Sequence, residues 1–419
     1  YLGKYQYAQG CDTDGETTEE LLSDLHTKAK EADAVVVFAG LPSKYESEGF
    51  DREHMKMPKG HIEMIETAAK ANENTIVVLL CGSAVECPWT DDAKAILYMG
   101  LPGQGAGQAC YNLLFGKINP SGKLSESWSY SYSDVVSSSY YSKSRDALYL
   151  ENIYVGYRYY DKADIKVRWP YGYGLSYSSF KLDNFKISDN KVKVKVINTG
   201  KYAGSEVVQL YVGQNNPTLH RPLRELKHFE KVSLNPGESK EVIFELTDND
   251  FAVWDNSFKK VKGNYRIEIG TSSRDIYFHK DVDIDGEMVN IPQWQKDSWY
   301  ENCKGSINQT QWEKMLGRKY EPVKLIKGQF TMDNSVAEMK EHSWIMKIIY
   351  KAVEKVISKG FDGKIDYNNP DFVMLMNSSA GAPLRSMQIS GGINGGVFKG
   401  LVEMANGHFI KGIIKMIKG

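Results

Sequence analysis

A helix followed by a buried strand is encoded in residues 17–39, whose sequence is TTEELLSDLHTKAKEADAVVVFA. Acidic residues in the first turn predict a helix over residues 17–30, because carboxylates favour the positive end of the helix dipole. The apolar, β-branched run over residues 32–39 predicts a strand. A helix that leads directly into a buried strand is typical of a parallel α/β sheet.

The same alternation continues to about residue 130. Strands are predicted at residues 75–80 and 93–99, with a helix near residues 60–71. A glycine-rich turn leads into another helix near residues 105–114. We therefore expect residues 1–130 to form a parallel α/β domain.

The period changes further along the chain. Residues 131–180 form a connector rich in Tyr and Ser, which we expect its aromatic rings to order. Residues 181–285 alternate apolar and polar side chains, as in KVKVKVI at 191–197, and predict a β-sandwich. Residues 286–419 predict a connector, helices at roughly 333–359 and 397–418, and a flexible connection at the glycine-rich residues 391–396. The predicted fold class is thus α/β plus all-β with a helical C-terminal extension.

The charge balance excludes several classes of function. The chain has 419 residues, and its 52 lysines and arginines nearly cancel its 53 aspartates and glutamates. No overall field attracts nucleic acid or an anionic membrane, and apolar runs fall short of the roughly 18 residues of a membrane helix. We expect a soluble protein with neither partner. The amphipathic, basic end at residues 409–418 is expected to dock on the protein itself, although such patterns also lie on membranes.

The cysteines and histidines predict neither a disulfide scaffold nor a metal site. Cys11, Cys81, Cys87, Cys110 and Cys303 have no metal-ligand spacing. We expect reduced thiols, and a cytoplasmic location is favoured over secretion. His54 and His61 lack a cysteine partner or a helical spacing, so we expect surface or supporting histidines and no metal.

An acidic loop follows the first predicted strand and is the strongest candidate site. Residues 45–53, YESEGFDRE, are called the acid loop below. Open α/β sheets bind ligands at the carboxyl ends of their strands, and a carboxyl group among apolar contacts and like charges can serve as a general acid. The alternative is a solvated loop without chemistry.

A second candidate is the glycine-rich sequence GLPGQGAGQA at residues 100–109. A strand followed by glycines and a helix suggests phosphate binding, but Gly103, Gly105 and Gly107 are spaced one residue too tightly for the dinucleotide motif and no Gly-Lys-Ser/Thr follows. We interpret this segment as a turn without a ligand and keep a nucleotide-binding α/β protein as an alternative.

Several segments, in order, resemble the C-terminal half of glycoside hydrolase family 3 enzymes of the β-glucosidase type. They are residues 34–52 with the acid loop, NPSGKL at 119–124, YVGYRYYD at 154–161, PYGYGLSY at 170–177, and the tail at 383–387 and 401–407. The resemblance implies a partial α/β-sandwich domain over 1–130 and a fibronectin type III-like domain over 181–285.

The resemblance also implies retaining hydrolysis of terminal β-glucosides. By motif position, Glu48 is identified as the general acid/base, with Glu46 as a rival within the loop. Asp51 and Arg52 would hold the loop or tune the acid. No cofactor or metal is implied.

The family's nucleophile lies on an N-terminal (β/α)₈ barrel, which takes about 250 residues and is absent from this sequence. The chain opens on Tyr-Leu-Gly in mid-pattern, so we expect a fragment that needs the barrel as its partner and is inactive alone. The alternative is a non-catalytic module that binds carbohydrate or protein. The sequence does not decide the sugar specificity, nor whether the protein forms a homo-oligomer.

Overall fold

The computed structural model describes residues 5–289, 292–391 and 394–418. The helices are α1 (Glu19–Glu31), α2 (Lys59–Ala71), α3 (Ala106–Leu114), α4 (Tyr157–Lys162), α5 (Gln309–Leu316), α6 (Val336–Met339), α7 (Trp344–Ser358), α8 (Pro370–Met376), α9 (Leu384–Gly391), α10 (Gly395–Ala405) and α11 (Phe409–Lys418). The strands are β1 (Val35–Gly40), β2 (Thr75–Leu80), β3 (Ala95–Tyr98), β4 (Trp128–Ser129), β5 (Val167–Trp169), β6 (Phe180–Ser188), β7 (Lys191–Asn198), β8 (Gly204–Gln214), β9 (Glu225–Leu234), β10 (Ser239–Glu245), β11 (Ala252–Trp254), β12 (Phe258–Lys260), β13 (Gly263–Gly270) and β14 (Ile276–Ile284).

The chain divides into two compact units. The first takes in the residues up to Val78, Asp92–Ile96 and the residues from Glu321 onward. The second takes in Leu79–Asp91 and Leu97–Tyr320. The acid loop therefore belongs to the same unit as the C-terminal helices.

The predicted parallel α/β sheet is confirmed. Its strand order is β1-β2-β3. The amide of Lys94 donates to the carbonyl of Thr75 at 2.8 Å, and that of Met99 donates to Leu79 at 2.9 Å. The residue numbers increase in the same direction on both strands from the first bond to the second, so β2 and β3 are parallel. The strand predicted to begin at residue 32 begins at Val35, because α1 continues to Glu31.

The predicted β-sandwich is also confirmed. Its sheets have the orders β10-β7-β6 and β14-β13-β8-β9. On β7 the valines of the alternating sequence are buried and the lysines between them are not, as a period of two requires. Its core is formed by apolar side chains that include Val192, Val194, Val196, Val208, Leu210, Ile267 and Ile269.

Aromatic side chains order the Tyr-rich connector, as predicted. Tyr154, Tyr159 and Tyr160 are buried in a cluster with Trp299 and Tyr300. The Tyr300 hydroxyl donates to the carbonyl of Leu150 at 2.7 Å. The buried rings therefore keep their polar ends bonded.

The C-terminal helices α6–α11 form a helical module around its own apolar core. That core includes Val336, Met339, Met346, Phe372, Met376, Ala380, Leu384, Phe398 and Ala405. The prediction of helices near 333–359 and 397–418 is confirmed, but α5, α8 and α9 were not predicted. The flexible connection expected at residues 391–396 is wrong in part, because Gly391 ends α9 and Gly395 begins α10. Residues 392 and 393 lie outside the described residues.

Helix α11 packs on helix α10, as expected for the basic C-terminal end, but the side chains of Ile410 and Ile417 remain exposed. A Cβ atom added at Gly412 would lie 2.7 Å from the carbonyl oxygen of Gly400 on α10, so the two helix backbones are in direct contact. Gly407, with φ +91°, shapes the connection between the helices. No helix in the described part of the chain is long and apolar enough to cross a membrane.

The side chain of Asn198 is a buried polar junction in the β-sandwich. It is fully buried, and its amide donates to the carbonyls of Tyr202 at 2.8 Å and Leu234 at 3.0 Å. Its oxygen accepts hydrogen bonds from the Ser178 hydroxyl at 2.7 Å and the Gly200 amide at 3.0 Å. Removing this side chain would leave several buried groups unsatisfied, which is costly.

We expect Asn198→Ala to destabilise the sandwich by about 2–3 kcal/mol, because its buried partners would lose their hydrogen bonds without gaining water. Native-state hydrogen exchange of the β7 and β8 amides measures the opening of this sandwich directly. Asn190→Ala, at an exposed position of the same domain, is the matched control. It should change the free energy of unfolding by less than about 0.5 kcal/mol. Equal effects of the two variants would contradict the prediction.

Candidate functional site

The carboxyl end of β1 is fixed by a buried histidine on α2. His61 is 9% exposed, and its Nδ1 lies 2.9 Å from the carbonyl oxygen of Gly40. Nδ1 also lies 3.3 Å from the amide nitrogen of Gly40. The shorter contact is the one to the carbonyl oxygen, and because that oxygen only accepts, it requires a proton on Nδ1. Burial lowers the pKa of His61, although the bond to Gly40 and the nearby Asp12 act in the opposite direction. The imidazole therefore anchors, in its neutral form, the point where the chain leaves the sheet.

The N-terminal segment packs against the start of α2 and supports this anchor. A Cβ atom at Gly15, where φ is +82°, would lie 2.8 Å from Cγ of Pro58. The Thr17 hydroxyl donates to the carbonyl of Gly10 at 2.6 Å, which closes the segment on itself. Only glycine tolerates both the left-handed backbone and the close approach at position 15.

The acid loop folds into a tight turn after β1. The amides of Tyr45 and Glu46 both donate to the carbonyl of Pro42, at 2.8 and 3.1 Å. Ser47 and Phe50 then form an antiparallel bridge, which leaves residues 48 and 49 at the tip. The Gly49 amide donates to the Ser47 hydroxyl at 3.2 Å.

The structure places the four predicted site residues on this one loop. Glu48 lies at the tip with an exposed side chain, and it makes no hydrogen bond or ion pair with any residue that the structure describes. Asp51 is exposed, whereas Glu46 and Arg52 are half-buried. Glu48 is therefore held through its backbone alone, and its carboxyl group is accessible to a ligand.

Two features of the site have no local signal in the sequence. His61 was expected on the surface or in a supporting position, and the structure buries it behind the loop. Asn377 comes from the helical module and donates from its side-chain amide to the carbonyl of Gly49. No periodicity or motif connects positions 49 and 377, so the sequence could not reveal this contact.

The glycine-rich segment at residues 100–109 has the geometry of a turn. Gly100 and Gly103 have φ values of +63° and +65°, a conformation that glycine adopts at least cost. A 3₁₀ turn over Gly103–Gly105 leads directly into α3. Backbone geometry thus accounts for two of these glycines without a bound phosphate.

The cysteines of the chain are free thiols, and those at positions 81, 87, 110 and 303 are buried. Burial raises the pKa of Cys87 to about 12, which keeps this thiol protonated and unreactive at neutral pH. Within the described ranges, no group of three or more His, Cys, Asp or Glu side chains could hold a metal ion.

Two models of known protein families match this chain, one over the α/β domain and the connector and one within the β-sandwich. The model of the glycosyl hydrolase family 3 C-terminal domain matches residues 5–177, which include the acid loop. The chain carries the glycosyl hydrolase family 3 C-terminal domain. A fibronectin type III-like domain matches residues 206–273, within the β-sandwich.

The relatives of this chain are longer enzymes. The thermostable beta-glucosidase B of Acetivibrio thermocellus is 44% identical over 296 residues, which cover 67% of this chain and 39% of that protein. An exo-alpha-(1->6)-L-arabinopyranosidase of Bifidobacterium breve is 39% identical over 313 residues, 70% of this chain and 41% of that protein. The crystal structure of the Bifidobacterium adolescentis GH3 beta-glucosidase aligns with a TM-score of 0.65 at 39% identity, over 70% of this chain and 45% of that one. The chain thus spans less than half the length of each of these relatives.

The lowered pKa of His61 predicts a pH-dependent stability. The folded state resists protonation of this ring, whereas the unfolded state takes up the proton near the ordinary value of 6.5. The free energy of unfolding should therefore fall as the pH drops below about 6.5, down to the lowered pKa. His61→Asn keeps a donor near the Nδ1 position and removes the titration, so it should flatten the dependence between pH 7.5 and pH 5, measured by urea denaturation.

The exposed His54 offers the control for this experiment. His54→Asn also removes one histidine from the unit but leaves the contact with Gly40 in place. It should retain the wild-type slope of stability against pH. Parallel curves for the wild type and His61→Asn would contradict the assignment.

Proposed function

We propose that Glu48 is the general acid/base of a retaining β-glucosidase, and that this chain supplies that residue but not the nucleophile. The proposal is carried by the position of Glu48, at the accessible tip of a closed turn beyond the carboxyl end of β1. Ligands of open α/β sheets bind at this edge. The family match over residues 5–177, which includes the loop, supports the same choice.

Glu48 has two tasks in this reaction. In the first step its carboxylic acid donates a proton to the glycosidic oxygen while a carboxylate nucleophile attacks the sugar and the bond to the leaving group breaks. In the second step its carboxylate takes a proton from water, which displaces the nucleophile and releases the sugar. These roles require the two carboxyl groups to lie about 5 Å apart.

The nucleophile in this proposal comes from a (β/α)₈ barrel outside the chain. The segment shared with the Acetivibrio thermocellus relative is 39% of that protein, which leaves room for a barrel of about 250 residues. A retaining mechanism needs the covalent step, so the acid loop and the barrel would act as one site.

Neighbouring side chains have supporting roles in this proposal. Asp51 and Arg52 hold the loop or tune the acid, and we choose Glu48 over the half-buried Glu46 because its exposed carboxyl group is accessible to a substrate. The boundaries that we propose for the parts of the chain are 1–130, 131–180, 181–285 and 286–419. The preferred substrate is a terminal β-glucoside, in keeping with the names of the beta-glucosidase relatives.

We expect Glu48→Gln in the enzyme that includes the barrel to lower kcat/KM by about 10²–10⁴-fold for β-glucosides with poor leaving groups, which need the proton. Substrates with activated aryl leaving groups should lose far less in the first step. Azide needs no base to attack the glycosyl enzyme, so it should restore turnover of the activated substrates. Steady-state kinetics across a series of aryl glucosides measures these effects.

Glu46→Gln is the matched control, since it makes the same change two positions away. It should leave the dependence on the leaving group as in the wild type. If Glu46→Gln showed the loss and the rescue instead, the acid would be Glu46. Unchanged kinetics for both variants would favour a non-catalytic binding module.

The 419-residue chain by itself should not hydrolyse p-nitrophenyl β-glucoside, because an acid without a nucleophile cannot form the glycosyl enzyme. Release of p-nitrophenol by the purified chain is compared with release by its Glu48→Gln variant, which shows any contaminating activity. Turnover that depends on Glu48 in the chain alone would contradict the proposal that the nucleophile lies elsewhere.

A further inference from the structure

Helix α8 of the helical module is held firmly in place. Asn369 caps it by accepting hydrogen bonds from the amides of Asp371 at 2.9 Å and Phe372 at 3.1 Å. Phe372 and Met376 are buried in the core of the module. A capped helix with its apolar side packed into a core offers a rigid surface.

The backbone of α8 lies directly against the tip of the acid loop. Gly49 is buried, and a Cβ atom at this position would lie 2.7 Å from the backbone nitrogen of Met374 and closer still to its Cα. Backbone atoms of a helix cannot move aside as a flexible side chain can. Position 49 therefore requires glycine because of the helix that packs on it.

A hydrogen bond joins the same two elements. Asn377 is the first residue of a single π-helical turn, Asn377–Gly381, that follows α8. Its side-chain amide donates to the carbonyl of Gly49. Such π turns are rare and frequently occur at functional sites.

Both backbone polar groups of Gly49 are thus held by side chains. Ser47 accepts from its amide at 3.2 Å, and Asn377 donates to its carbonyl. Glu48, the preceding residue, makes no polar contact with any described residue. The position of the Glu48 backbone, and the direction in which its side chain leaves that backbone, are consequently set by a turn that Asn377 fixes.

We propose that the helical module is a positioning element of the acid loop, with Asn377 as the positioning residue that holds Glu48 in its catalytic place. This inference rests on the proposed function of Glu48. Neither family match, over residues 5–177 and 206–273, includes Asn377. Proton donors lose rate steeply when they are displaced by about 1 Å, by as much as 10²-fold.

The first test measures the loop itself in the 419-residue chain. Asn377→Ala removes the donor at an exposed position, so the module should still fold. Hydrogen–deuterium exchange of peptides that cover the acid loop should become faster by about 10-fold. Asn368→Ala, a matched control at another exposed asparagine of the module, should leave the exchange unchanged. Unchanged exchange in Asn377→Ala would overturn the positioning contact.

The second test measures catalysis in the enzyme that includes the barrel. Asn377→Ala should lower kcat by about 10-fold or more for glucosides with poor leaving groups, with a change of less than about twofold in KM and in kcat for activated aryl glucosides. Asn377→Asp, which keeps the size but loses the donor, should show the same selectivity. Equal losses for both classes of substrate would mean a merely structural role and would overturn the inference.

The Glu48→Gln variant in the same assay separates the two proposals. If Glu48→Gln shows the dependence on the leaving group but Asn377→Ala does not, the function stands and the positioning role fails. If Glu48→Gln shows no such dependence, the acid/base assignment fails, and the catalytic part of this inference fails with it. Both proposals are supported if Asn377→Ala speeds hydrogen exchange of the acid loop and lowers kcat selectively for glucosides with poor leaving groups, while Glu48→Gln shows the dependence on the leaving group.

Discussion

The hydrogen bond between the buried His61 and the carbonyl of Gly40 is the constraint on which the acid loop depends. It ties the last residue of β1 to α2, so the loop leaves the sheet from a fixed point. Burial keeps the ring neutral, which avoids the cost of an enclosed charge. A neutral donor is sufficient here because a carbonyl oxygen needs only one proton to complete the bond.

The loop has a second fixed point at Gly49, where α8 and Asn377 meet it. Two anchors, one at each end of a short segment, restrict the backbone far more than either could alone. The carboxyl group of Glu48 lies between them and is exposed. This arrangement combines a rigid backbone with an accessible carboxyl group, as the role that we propose for Glu48 requires.

The sequence predicted those elements that carry their own periodicity. The strand at residues 75–80 and the alternation on β7 are examples, because burial of alternate or continuous apolar side chains is encoded locally. Helix α8 was missed because Asn, Pro, Ser and Gly around residues 368–381 favour turns, and burial of Phe372 and Met376 overrides that preference. The contact between Gly49 and Asn377 depends on the assembled fold. The sequence could therefore identify the acid loop but not the residue of the helical module that contacts it.

The exposure of Glu48 bears on how the site is completed. A general acid works best when apolar contact or a neighbouring carboxylate disfavours its ionised form. In a retaining enzyme both conditions arise together when the sugar and the nucleophile, about 5 Å away, cover the acid. In the proposed enzyme, the chain would place the acid through His61 and Asn377, and the covering surface would strengthen it as a proton donor.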